Sequence, residues 1–171
     1  MSKSPKLVRA IAIVVTVVAC AAMWVPINPA WVGGFMAWQI KRGRVRIFCE
    51  TDHEVLLKAC RELSQRAGVG RHETRVYEMG LFSGRSLPRP IRALRPREVI
   101  VSGDGTVDIS MYSGWHPFGV WACPEGYEGK KPDDAGRKLV DGLWYYDEDY
   151  KFSPDGLDKQ IDVLIEEHKK K

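Results

Sequence analysis

His116 lies in the most unusual stretch of this sequence, Ser113-Gly114-Trp115-His116-Pro117-Phe118-Gly119. An imidazole titrates near neutrality, and flanking glycines with a following proline favour a tight bend that presents side chains. Paired with Asp104 or Asp108, His116 would serve as a general base; joined by His53 and a carboxylate, it would hold a metal. The competing reading has His116 end a strand while Trp115, Phe118 and Trp121 pack. A second neighbourhood sets Cys49 just ahead of Asp52 and His53, where a Cys–His pair would make a thiolate nucleophile or a metal ligand. The catalytic candidates are therefore His116 and Asp104, and the metal candidates His53, His116 and Cys49. Against them, helix capping accounts for Asp52 and Glu54 without any chemistry. A third neighbourhood, Trp144-Tyr145-Tyr146-Asp147-Glu148-Asp149-Tyr150, joins aromatics to three adjacent acids. It lacks the spaced ligands of a calcium loop, so a solvated loop is expected there, with Trp144 and Tyr146 sharing a core face.

The standard signatures are missing. The chain has no phosphate loop, nucleophile elbow, metalloprotease helix or dinucleotide glycine fingerprint, and no cofactor is implied. Of four cysteines, Cys20 stands apart from Cys49, Cys60 and Cys123, and no C-x-x-C pair occurs. An odd number in an exported domain allows one disulfide and a free thiol; Cys60 reads as a small buried hydrophobe. The net charge of +4 belongs to the N-terminal part, since residues 47–171 hold nineteen Lys and Arg against twenty-two Asp and Glu. Lys58–Arg97 carries ten basic and three acidic residues, whereas the chain from Glu98 onward carries nine and sixteen. The two halves either face each other or are solvated, or else the arginines meet phospholipid or another anionic partner. No recognition motif accompanies them, so nucleic acid gains no support.

The elements that would carry these groups follow a long apolar opening. From Ala10 to Ile40 there are thirty-one residues without a charge. Leu7–Val25 supplies nineteen residues, broken only by Arg9, against the 20 or so that span a bilayer at about 1.5 Å each. Lys3, Lys6 and Arg9 precede it in the manner of a signal anchor. Cleavage near Ala19–Ala22, or acylation at Cys20 within Val17-Val18-Ala19-Cys20, competes with retention. Because Ala21–Val25 stays apolar, an uncleaved helix through Leu7, Val14, Val18, Trp24 and Val25 is expected, stopped at Pro26 and Pro29. Trp24, Trp31 and Trp38 recur every seven residues and suit a bilayer–water interface, or else pack on the domain. The nearer basic flank sets the N-terminus inside and the domain outside the cytoplasm; Lys41–Arg46 argues the reverse, as a patch for anionic lipid.

The expected organisation is a basic flank (1–6), an anchor (7–25), a Trp-rich interfacial linker (26–43) and one soluble domain (44–171). Arg44–Phe48 alternates as a strand, and Thr51-Asp52-His53-Glu54 reads as a capping box ahead of a helix through Leu63 that stops at Gly68. Arg75–Met79 suggests a strand and Leu87–Arg95 a short proline-started helix with Ile91 and Leu94 inward. Glu98–Ser102 and Thr106–Tyr112 form a hairpin around Gly103-Asp104-Gly105. Gly114–Ala122 adds a third strand of that meander and Lys138–Tyr146 a fourth, with a final helix from Ser153-Pro154. The fold class is α+β: a mainly antiparallel sheet with two principal helices. The expected role is non-enzymatic binding at the membrane, with the lipid bilayer and a protein as partners. The alternatives are a hydrolase centred on His116 and a structural subunit of a membrane assembly.

Overall fold

A computed structural model of the chain describes residues 29–70, 73–78, 86–112, 117–129 and 135–170. Leu7–Val25, Trp24 and His116 lie outside the described residues. The chain divides into two compact units, Met1–Lys41 and Arg42–Lys171. In the first, Phe35 and Trp38 stack at 6.0 Å on one helix, both about half exposed. Among the described residues no helix is long and apolar enough to cross a membrane.

The second unit is α+β, with its described strands joined in an antiparallel sheet of order β1-β2-β3-β4-β6-β5. In chain order the elements are α1 (Pro29–Cys49), α2 (His53–Ala67), β1 (Thr74–Glu78), α3 (Arg89–Leu94), β2 (Glu98–Ser102), β3 (Val107–Tyr112), β4 (Phe118–Ala122), β5 (Ala135–Val140), β6 (Leu143–Asp147), a 3-10 turn (Glu148–Lys151) and α4 (Pro154–Lys169). Register places Val99, Ile109, Val120 and Tyr145 in one cross-strand row, and Val101, Val107, Ala122 and Leu143 in the next. All eight are essentially inaccessible to solvent. Successive strand residues point to opposite faces, so these two rows form a single apolar face. Helix α2 lies against it with Leu56, Leu57, Ala59, Cys60 and Leu63 buried.

Arg44–Phe48 is the end of α1, not a strand, so the last turns of α1 join the two principal helices α2 and α4 in the domain. Its alternation is real, but Gly43 and Ile47 also fall four apart and turn inward together, which is the helical period. Gly43 is required there: a Cβ would stand 2.6 Å from the ring of Phe118. Thr51 does not cap α2 either. Its hydroxyl donates to the carbonyl of Arg46 at 2.7 Å, satisfying an orphaned acceptor at the end of α1, and Asp52 caps α2 by accepting from the Val55 amide at 3.1 Å.

The expected fourth strand is in fact two. Asp141-Gly142, with Gly142 at φ +88°, turns β5 back into β6, and β6 rather than β5 pairs with β4. The acidic segment after it is no solvated loop. Asp147 is 1% exposed and accepts from Arg44 Nη2 at 2.7 Å and Nε at 3.2 Å, and the Tyr145 hydroxyl also donates to it. Arg44 reaches Asp149 as well, at 3.0 Å. Asp147 also caps the 3-10 turn through the Asp149 amide. Trp144 and Tyr146 share one face, while Tyr145, wholly buried, fills the opposite one. Burial works against the charge on Arg44, but the Tyr145 oxygen and the Asp147 carboxylate outweigh it and hold the guanidinium above its ordinary value.

Removing one partner of a buried ion pair strands the other charge. Asp147→Ala should therefore cost about 3–5 kcal/mol, read as a fall in the urea midpoint of the full-length chain in detergent micelles. The joint change Arg44→Met with Asp147→Leu should recover much of that loss. A cost below about 1 kcal/mol for Asp147→Ala would show the pair behaving as an exposed one.

Candidate functional site

Where β4 ends, the β5–β6 turn returns and α2 passes, the surface opens into a concavity of about 680 Å³. Glu54, Leu57 and Arg61 line it from α2, Cys123 to Tyr127 and Gly129 from the loop after β4, Asp141 and Gly142 from the turn, and Trp121 and Trp144 from the sheet. Each wall has a local cause. The helical spacing 54, 57, 61 turns one edge of α2 to the opening. Arg61 donates through Nε to the carbonyl of Cys123 at 3.3 Å, its one hydrogen bond among the described residues, and its guanidinium lines the opening with Nη2 beside Gly142. Gly142 leaves the space the guanidinium uses: a Cβ there would stand 3.0 Å from Arg61 Nη2.

Tyr127 is fixed from three sides. Its ring meets Trp121 edge-on at 5.6 Å, Gly129 lies flat against it, and its hydroxyl donates to Asp104 at 3.2 Å. Burial, then the Asp104 charge, raises its phenol and keeps it a neutral donor. Trp144 carries the Lys138 ammonium over its ring at 5.9 Å, and Lys138 pairs with Asp141 at 2.7 Å. Glu54 and Glu125 are exposed and carry no ion pair among the described residues. Cys123 is 6% exposed, and burial pushes its thiol up; burial raises the Cys60 thiol to about 12. These are packing thiols rather than thiolates.

Of the candidates read from the sequence, His116 lies outside the described residues, and Asp104, His53 and Cys49 sit at separate points of the fold. Asp104 tips the β2–β3 turn, where it accepts from the Thr106 amide at 3.0 Å, the Thr106 hydroxyl at 2.7 Å and Tyr127. His53 Nε2 donates to the carbonyl of Ile47 at 2.8 Å and is a second cap on α1. Cys49 ends α1 half-buried, its thiol raised first by burial and then by Glu50. Cys49, Cys60 and Cys123 are free thiols, and no three His, Cys, Asp or Glu side chains among the described residues are grouped to hold a metal. The arginines Arg89, Arg92, Arg95 and Arg97 are exposed. Arg46, bonded to the carbonyl of Leu94, has its pKa lowered by burial and then by the charges of Arg95 and Arg42.

The residues that build the concavity escaped the sequence reading. Neither Arg61 nor Tyr127 carries a signal in the sequence that sets it apart. The Asp141-Gly142 pair was the available signal, because a turn there brings Trp144 beside Trp121. Comparison with family models, curated proteins and solved structures finds no match for this chain.

Burial would raise the Asp104 carboxyl, yet the hydrogen bonds from Thr106 and Tyr127 prevail and hold it below its ordinary value. Its contribution to stability is therefore complete above the unfolded carboxyl value of about 3.9 and disappears as pH falls through the lower folded value. Urea midpoints should separate the wild type from Asp104→Ala at about pH 6, and the gap should shrink as pH falls below the unfolded value of about 3.9. A gap that persists unchanged in acid would remove the carboxylate from the stabilisation of this turn.

Proposed function

We propose that this protein is a membrane-tethered binding domain, held by Leu7–Val25 and engaging a partner at the membrane without catalysing a reaction. The single observation behind the binding role is the concavity itself, with a fixed aromatic wall, the Arg61 guanidinium, and two exposed carboxylates on its rim that make no ion pair among the described residues. That set recognises ligands by charge, hydrogen bonding and ring contact. It supplies no activated nucleophile, since its one thiol is buried and protonated. The tether rests on the uncharged run from Ala10 to Ile40 and on the basic flank Lys3, Lys6 and Arg9, which sets the domain outside the cytoplasm.

The tether and the binding role have separate tests. A reporter active only after export, fused behind Lys171, should be active, and the membrane-bound product should keep its full mass. An inactive fusion would put the domain in the cytoplasm; a lipidated product beginning at Cys20 would replace the helix by a lipid anchor. For binding, a photo-crosslinking amino acid at Glu125 should give one discrete adduct in intact membranes, while the same group at exposed Val163 on α4 should not. Identical patterns from the two positions would overturn the binding role.

A further inference from the structure

The chemistry of the concavity restricts its occupant further. Arg61 presents two Nη groups in a rigid planar fork whose orientation is locked by the Nε bond to the Cys123 carbonyl. Such a fork matches a carboxylate through two parallel hydrogen bonds. Asp141 lines the same space and pairs with Lys138 at 2.7 Å; Arg61 acts on its carboxylate from farther away, and no carboxylate among the described residues stands within ion-pair distance of Arg61. Around this cationic floor the rim is acceptor-rich. Glu54 and Glu125 are carboxylates, which when ionised accept hydrogen bonds and donate none. A purely anionic ligand would satisfy the floor and be repelled by the rim. A purely cationic one would do the reverse. The site therefore suits a molecule with a carboxylate at one end and donor-bearing, cationic groups beside it.

Size and the aromatic wall decide between small and extended forms of that molecule. A volume of about 680 Å³ lies in the range that takes a ligand of several linked groups rather than a single amino acid. Tyr127 offers a fixed ring against which an aliphatic ammonium can lie. We propose, on the reading of this concavity as the binding site, that it takes the C-terminal end of a basic peptide. The terminal carboxylate sits on the Nη groups of Arg61, and the last side chains lie along Tyr127 toward Glu54 and Glu125. Recognition of a chain terminus by fixed donors is an established mode of peptide binding.

The test uses the full chain in detergent micelles and an N-terminally labelled peptide, Ala-Ala-Lys-Lys, in two forms, with a free carboxylate and with an amidated C-terminus. Fluorescence anisotropy should show the free form binding at least about tenfold more tightly, the loss expected when a charge-assisted pair is removed. Arg61→Gln keeps a donor for the Cys123 carbonyl and should bind both forms alike. Glu125→Gln, on an exposed loop, should weaken both forms by the same factor and leave the preference for the carboxylate intact. Equal binding of the two forms by the wild type would overturn the inference, as would a preference that survives Arg61→Gln. Displacement of the peptide by free lysine as effective as by unlabelled peptide would overturn the peptide assignment. If neither form binds while the Glu125 adduct still forms in membranes, the ligand class fails and the binding role stands. If the adduct is absent too, both fail.

Discussion

The domain depends on one buried charge being answered. Arg44 lies in the last turns of α1 with its side chain 11% exposed, and the carboxylate it meets, Asp147, is 2% exposed at the end of β6. A single acceptor oxygen of Asp147 takes both Nε and Nη2 of Arg44 and the hydroxyl of Tyr145. Its other oxygen caps the 3-10 turn that leads into α4. Burial alone would disfavour each charge, so the pair persists because every group has a partner. Three distant parts of the chain are thereby held to one point: the end of α1, the end of β6 and the entry to α4. Tyr145 also anchors Phe48 and Tyr150 by edge-on ring contacts at 4.8 and 6.0 Å, which extends the polar junction into an aromatic one.

The concavity lies apart from that junction and shares none of its lining residues with it. Its parts are made rigid by local means. Asp104 serves the β2–β3 turn through Thr106 and orients Tyr127 from the neighbouring loop, so one carboxylate links two loops. Arg61 is steered by a backbone carbonyl, and Gly142 provides both the positive φ of a tight turn and the room beside the guanidinium. A site built this way needs little reordering when a ligand arrives, which reduces the entropic cost of binding.

Much of the architecture was legible wherever the signal is short-range. The β2–β3 hairpin, the short helix with Ile91 and Leu94 inward, the stop of α2 at Gly68 and the start of α4 after Ser153 each follow from residues within one turn of the feature. Errors arose where two local signals competed. Arg44–Phe48 satisfies both a two-residue and a four-residue period, and tertiary contacts such as Gly43 against Phe118 and Arg44 to Asp147 go with the helix. Thr51 and Asp52 are both good caps; the free carbonyl of Arg46 claims the first. Lys138–Tyr146 was read as continuous although Asp141-Gly142 carries the same turn chemistry as Asp104-Gly105.

The sequence by itself determined the α+β class and the positions of most turns, because caps, glycine turns and apolar periodicity act over a few residues. It also carries the long uncharged N-terminal run. The tertiary structure alone decided which polar residues are buried partners and which remain available for binding. Asp147 and Asp149 look alike in the sequence, yet they are 2% and 44% exposed. Arg44 and Arg61 are equally ordinary, yet one is neutralised 103 residues away and the other opens onto a cavity. Those outcomes depend on which strand lies beside β4, and strand order is set by packing across the whole sheet rather than by any local preference.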